Sequence, residues 1–433
     1  YNPFHNGHLY QLAEAKKTFS PDYVVSIMSG NFLQRGEPAL FDKYTRAQMA
    51  LANGIDAVYE LPVYYACASA AEFAKAAVLS CQQLSVTHLA FGAECADLSL
   101  LQKIAETTKE EDAEFCTILR QRLATGESYA KAYGAAVFAK MNGISPEKVT
   151  PRPLRESGQV SPPDLIEKIM AEPNNILAVC YLRAIQNYAP DITPVLIPRT
   201  QADYHDKKLC GNIASASAIR LHLHENAPYR DTPEFQALEK VLPTATTKLF
   251  PVCENLLQFL EASDFDTMLR FQIQNLLSEK DIDVYDFPKE LKNRLYQKVD
   301  GFPGFSELTA QLKTKQYTHT RICRALTHLL LSMRQDIFKH SKATGYISYV
   351  RLLGFSKAAA PLIKYQRAGC FVPYIQKVSE GYKILNAHEN SSAALLFSAD
   401  LHASDIYRLA WHEKYHVLLP SDYEKNSIVY TSL

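Results

Sequence analysis

The chain opens on two histidines whose spacing could do chemistry, in Tyr1-Asn2-Pro3-Phe4-His5-Asn6-Gly7-His8. His5 and His8 are three residues apart and share one face if a helix starts here, and Leu9, Leu12 and Ala13 continue at helical spacing. A helix start offers backbone N–H groups without intrahelical partners and the positive end of the helix dipole, and both attract phosphate. Gly7, between the histidines, has no side chain and would let a nucleotide come close to the backbone. This pattern suits holding an ATP triphosphate and stabilising the charge that develops when its α-phosphorus is attacked. An ordinary helix start can carry the same pair. The context favours the chemical reading: an Asn-Pro turn leads in, and the buried-strand run Asp22-Tyr-Val-Val-Ser-Ile-Met28 follows. His5 and His8 are therefore the candidate catalytic pair.

A second phosphate-type signal lies in Ile213-Ala-Ser-Ala-Ser-Ala-Ile-Arg220. Ser215 and Ser217 stand where a helix is expected to begin, so their hydroxyls either contact phosphate oxygens or simply cap the helix. Asn174 and Asn175 open another predicted helix, where they either cap it or read a ribose hydroxyl or base edge. Arg199 follows a predicted strand and suits a phosphate, a base or a surface ion pair. The pair His205-Asp206 is a weak catalytic candidate. Lys43 and Arg46 either bring positive charge to the loop after Ser29 or solvate a helix face. The basic stretch Lys313 to Arg324 mixes Lys315, Arg321 and Arg324 with Tyr317 and His319, a combination of cations and rings that suits RNA or a solvated helix start. Arg351 and Lys357 would extend that surface.

The elements that must position these residues alternate in the first part of the chain. Strands are expected near Val24–Ile27, Ala57–Pro62, Thr87–Gly92 and Thr193–Ile197, with helices from about Lys43 to Asn53 and Ser69 to Ser80. Alternating strands and helices imply a parallel sheet covered on both faces, with ligands at the carboxyl ends of its strands. The loops starting at Ser29 and Gly92 are thus candidate pocket walls. Residues 98–142 read as a helical insertion, and Arg152 to Asp164 as an irregular loop. Beyond Pro243 the periodicity is mostly helical, with a mixed segment after Gly345. The expectation is an α/β Rossmann-like catalytic domain over 1–242 and a mostly α-helical domain over 243–433. A motif of this kind normally follows a first strand, so a short N-terminal piece is expected before Tyr1.

Bulk properties narrow the classes. The 433 residues carry 46 Lys+Arg and 46 Asp+Glu, a balance that argues against coating nucleic acid through bulk charge but allows a local basic patch. The nine cysteines are scattered without Cys-x-x-Cys or metal-ligand spacing, so reduced thiols in the cytoplasm are expected, and no metal site. No apolar run approaches the ~20 residues that span a bilayer. No membrane role and no obligate protein partner is expected.

Taken in order, Tyr-Asn-Pro-Phe-His-Asn-Gly-His, Ser29-Gly-Asn-Phe-Leu-Gln-Arg-Gly-Glu-Pro38, Phe91-Gly92, Pro173-Asn-Asn-Ile-Leu177, Tyr204-His-Asp206, Ala214-Ser-Ala-Ser-Ala-Ile-Arg220 and Tyr317-Thr-His-Thr-Arg-Ile322 resemble the bacterial tRNA(Met) cytidine acetate ligase family over nearly the whole chain. The resemblance implies ATP-dependent acetylation of N4 of the wobble cytidine in elongator tRNA(Met), through acetyl-adenylate, with Mg²⁺ accompanying ATP. It implies an ATP site lined by Tyr1, Asn2, Pro3, Phe4, His5, Asn6, Gly7, His8, Leu9, Tyr10 and Gln11, completed by Gly92, Asn174 or Asn175, and Arg199. Ala178 stands where the family pattern has glycine. Two other readings stay open: an adenylyltransferase or carboxylate–amine ligase acting on a small metabolite, and a non-catalytic RNA-binding protein. The long helical C-terminal part favours a tRNA substrate over the first. The intact His5, Gly7 and His8 argue against the second.

Overall fold

The computed structural model describes residues 1–146, 162–199, 209, 211–226, 229–278, 283–299, 301, 304–314, 317–385 and 391–431. In chain order the strands are β1 (Val25–Ser29), β2 (Ala57–Leu61), β3 (His88–Ala93), β4 (Thr193–Pro198), β5 (Val252–Cys253), β6 (Leu256–Leu257), β7 (Val350–Ser356), β8 (Tyr374–Ile375) and β9 (Ile428–Tyr430). The contacts divide the chain into two compact units. One comprises Tyr1–Ser69, Gln83–Ser85 and Gln201–Leu433, and the other Ala70–Gln82 with Val86–Thr200.

The first unit is built on a mixed sheet in the order β1-β2-β7-β8, with β9 also on β7. β1 and β2 are parallel. Parallel neighbours need a crossover, which the helix Lys43–Ala52 supplies. That helix starts where its sequence says it should: the Asp42 carboxylate accepts hydrogen bonds from the Tyr44 and Thr45 amides at 3.0 and 3.3 Å. All five residues of β2 are buried, so its apolar run is covered on both faces. β7 then pairs antiparallel to β2. This unit therefore crosses the 242/243 boundary drawn from periodicity, because a strand from the C-terminal part completes the N-terminal sheet. Phe4, Leu12, Met28, Phe41, Val58 and Leu353 pack in one core that also takes Ala218 and Ile219 from the helix Ala216–Asn226.

In the second unit β3 and β4 form a two-stranded parallel sheet. The expected insertion folds as three helices, Leu98–Thr107, Ala113–Ala124 and Tyr129–Met141. Asp97 and Asp112 cap the first two by accepting from Leu100 and Phe115 amides. Their apolar faces join Phe91 of β3 and Leu182 of the helix Pro173–Tyr188 in a single core.

Candidate active site

The helix Asn6–Phe19 begins as the motif predicts, and the histidines themselves form its cap. His5 is the N-cap: its Nδ1 accepts the Gly7 amide at 3.0 Å. His8 reaches back, and its Nδ1 accepts the His5 amide at 3.3 Å. The two rings lie 3.8 Å apart between centroids. A ring nitrogen that accepts an N–H cannot carry a proton, so this reciprocal box places the hydrogen of each neutral imidazole on Nε2. Each histidine thus becomes an oriented Nε2–H donor. The expectation that open backbone N–H groups bind phosphate is corrected at two positions: the Gly7 amide is taken by His5, and the His8 amide donates to the His5 carbonyl at 2.8 Å. The role of Gly7 changes too. A Cβ there would lie 2.8 Å from Cε1 of His5, so the glycine makes room for the imidazole.

The neighbours hold this arrangement from all sides. Tyr1 sits edge-on to His8 at 4.7 Å and Phe4 tilts against it at 5.5 Å. Asn2 accepts the Leu40 amide at 2.9 Å, and Pro3 is buried beside it behind a cis peptide bond. Asn6 donates to the carbonyls of Asn212 and Lys240, fastening the motif to the segment before the helix Ala216–Asn226 and to the end of the helix Pro233–Val241. Leu9 is exposed, whereas Tyr10 and Gln11 are half-buried along the helix.

Lys43 and Arg46 do not solvate a helix face, because both are fully buried, and Arg46 brings its charge to the start of the loop at Ser29. Arg46 donates to the carbonyls of Phe41 (2.9 Å), Tyr1 (3.1 Å), Ser29 (3.1 Å) and Gly30. One guanidinium therefore ties the start of the motif to the carboxyl end of β1. Burial lowers its pKa to about 10, which leaves it charged at neutral pH. Lys43 lies in a buried ion cluster with Glu60 (2.8 Å) and Asp422 (2.7 Å). Arg351 completes the cluster at 3.0 Å from each of the same carboxylates, so it is a core residue and does not extend an RNA surface.

Ser215 and Ser217 divide the roles expected of them. Ser215 is buried and accepts the Ala218 amide at 3.1 Å, as a helix cap does. Ser217 sits between two guanidinium groups, accepting from Arg35 at 3.2 Å and Arg220 at 3.4 Å. Burial pulls the pKa of both arginines down, and Glu37, 3.7 Å from Arg220, partly offsets this. Two largely buried cations beside one carboxylate, at a helix N-terminus, form a site for a multiply charged anion. Arg35 and Arg220 were not singled out from the sequence. The signal was present, since both lie inside motifs that carry the family resemblance.

In the other unit, the carboxyl ends of β3 and β4 gather Gly92, Asn174, Asn175 and Arg199 around Glu94. Asn174 and the Asn175 amide both donate to the Glu94 carboxylate, and Arg199 stands 3.7 Å from it. A Cβ on Gly92 would touch the Arg199 stem at 3.5 Å. Asn175 is buried, accepting from the Cys95 amide and donating to the Ile169 carbonyl. Ala178 is in the core of this unit. Glu94 had no sequence signal of its own.

The basic stretch near residue 320 is partly internal. Arg321 lies over the Tyr317 ring at 5.1 Å and pairs with Asp286 at 3.4 Å. Arg324 is half-buried and its backbone presses on Gly36, where a Cβ would meet it at 2.2 Å. Lys315 and the His205-Asp206 pair lie outside the described residues. Among the described residues no group of three or more His, Cys, Asp or Glu is placed to hold a metal ion. No described helix is long and apolar enough to cross a membrane.

A family model described as HIGH Nucleotidyl Transferase matches residues 1–418. A tRNA(Met) cytidine acetate ligase of Thermoanaerobacter sp. (strain X514) is 36% identical over 413 residues, covering 95% of this chain and 94% of that one. One of Fervidobacterium nodosum is 33% identical, covering 98% and 96%. The crystal structure of apo Thermotoga maritima TmcAL aligns with a TM-score of 0.83 at 26% identity, covering 100% of this chain and 98% of that one. The same protein bound with alpha-thio ATP aligns at 0.80, with the same identity and coverage.

Proposed function

This chain belongs to the HIGH nucleotidyl transferases and, within them, to the tRNA(Met) cytidine acetate ligases; from that premise we propose that it joins acetate to N4 of the wobble cytidine of elongator tRNA(Met). Acetate is a poor electrophile, so it is first activated. A carboxylate oxygen attacks the α-phosphorus of ATP, the bond to the β-phosphate oxygen breaks, and pyrophosphate leaves. The cytidine amine then attacks the acetyl carbonyl. The new C–N bond replaces the C–O bond to AMP, and the amine loses one proton.

The observation that carries this reading is the reciprocal cap, which leaves the N–H of both imidazoles on Nε2 at one helix start. Such donors stabilise negative charge on the α-phosphate oxygens during attack, without reorganising in the transition state. Arg35, Arg220 and Ser217 are suited to the leaving pyrophosphate, whose charge grows as the bond breaks. Mg²⁺ would arrive on the triphosphate, because it binds through substrate phosphates in preference to all-protein cages. Family membership supports nucleotide contacts for Gly92, Asn174 and Arg199. The bound ATP analogue in the Thermotoga maritima relative supports ATP as the activating substrate.

The test is isotope exchange without tRNA. Labelled pyrophosphate should enter ATP only when acetate is supplied. Exchange that needs no acetate, but responds to another small carboxylate or phosphate acceptor, would instead assign the chain to small-molecule adenylyl transfer.

A further inference from the structure

From Ile337 to Ser379 the sequence contains no Asp or Glu, in a chain whose charges otherwise balance. Six cations of this stretch, Lys339, Lys342, Lys357, Lys364, Arg367 and Lys377, are exposed. Four of them cluster about one helix, Ala360–Gly369: Lys357 just before it, Lys364 and Arg367 one turn apart on it, and Lys377 just beyond β8. Lys357 and Lys364 make no ion pair among the described residues. Lys377 meets only Glu380, at 4.0 Å and in solvent, where such a contact is worth little. Arg367 donates to a neutral partner, Gln376.

Two exposed rings stand on and just after this helix. Tyr365 is 64% exposed, and Phe371, two residues beyond the helix, is 94% exposed. A phenyl ring left almost wholly in water contributes nothing to the fold. On the same helix Ala360, Ile363, Lys364 and Arg367, with Phe355 and Gln376, line an open groove of 540 Å³ whose walls carry no carboxylate. Exposed cations on a groove whose walls lack acids are complementary to a polyanion, and an exposed ring near the helix end offers a face on which an unpaired base stacks.

We infer that the helix Ala360–Gly369 and the turn holding Phe371 form an RNA-binding surface, with Lys357, Lys364, Arg367 and Lys377 on phosphates and Phe371 stacked on an unpaired base. This inference rests on the tRNA reading above and assigns the docking of the substrate to residues other than the basic stretch at Tyr317–Arg324.

The test compares the full-length parent with K364A/R367A and F371A, all at exposed positions, using an elongator tRNA(Met) transcript. The double variant should lower the slope of log affinity against log salt by about 2, one per lost phosphate contact. F371A should weaken binding about tenfold with little change in that slope. Acetate-dependent pyrophosphate exchange without tRNA, and the thermal unfolding curve, should match the parent in both, which separates lost docking from lost fold. Parent-like tRNA affinity and salt slope in both variants would overturn the surface while leaving the ligase reading intact. Failure of the parent itself to bind this tRNA at low salt would overturn both.

Discussion

His8 has two separable jobs, and two near-isosteric substitutions take them apart. Its Nδ1 accepts the His5 amide, and its Nε2 carries the donor assigned to the α-phosphate. Asn places a polar atom where Nδ1 stands and nothing where Nε2 stands. Gln does the reverse. His8→Asn therefore keeps the cap and deletes the donor, and His8→Gln keeps a donor and deletes the cap. Removing one transition-state donor costs ~10²–10³ in rate, or about 2.7–4 kcal/mol. The capping bond is long at 3.3 Å and only part-buried, so its loss costs about 0.5–1.5 kcal/mol of stability. His8→Asn should unfold close to the parent midpoint in urea yet slow acetate-dependent pyrophosphate exchange by ~10²–10³. His8→Gln should be the less stable of the two and the more active, within about tenfold of the parent. Equal losses in both variants would mean that the imidazole acts by packing against Tyr1 and His5. Full activity in His8→Asn would remove the donor from the account altogether.

Three further outcomes follow from the same geometry. Gly7→Ala puts a methyl group 2.8 Å from the His5 ring; since only a side chain must move, thermal stability should fall by about 1 kcal/mol or less while exchange drops at least about tenfold. Arg46→Met leaves four backbone carbonyls without their buried donor, so equilibrium unfolding should register a loss of about 3–5 kcal/mol; a change below about 1 kcal/mol would show that the clamp does not hold the motif. Burial alone would raise the pKa of Asp422, but Lys43 and Arg351 outweigh it and hold the carboxyl well below its ordinary 3.8. A depressed carboxyl stabilises the fold above its unfolded value and loses that contribution as pH falls below it. Asp422→Asn should be less stable than the parent near neutral pH, and the gap should close on acid titration below about pH 4; a gap that does not change with pH would refute the pairing.

Much of the catalytic half was legible because its signals are local. The strand expected at Ala57–Pro62 is β2 at Ala57–Leu61, and the helix expected from Lys43 ends at Ala52, one residue before Asn53. The insertion appeared as helices within the expected 98–142 span. β7 was not legible in its role. Val350–Ser356 reads as a mixed segment, and only a contact some 300 residues away in sequence, with β2, makes it the next strand of the sheet. The charged core was misread for the same reason. Lys43, Glu60, Arg351 and Asp422 each look like solvated charges, and only their convergence makes burial affordable. At the site, the motif pointed to His5 and His8 but not to the cap they build for each other, nor to Arg35 and Arg220 closing on Ser217.

The proposed reaction transfers acetate to one base of one tRNA. It is tested most directly by incubating the protein with ATP, Mg²⁺, labelled acetate and bulk bacterial tRNA, then digesting the RNA to nucleosides. Acid-stable label should appear in N4-acetylcytidine, dependent on ATP and confined to elongator tRNA(Met). Acetate-dependent pyrophosphate exchange with no label in RNA would contradict it, and would move the acceptor from tRNA to a small amine.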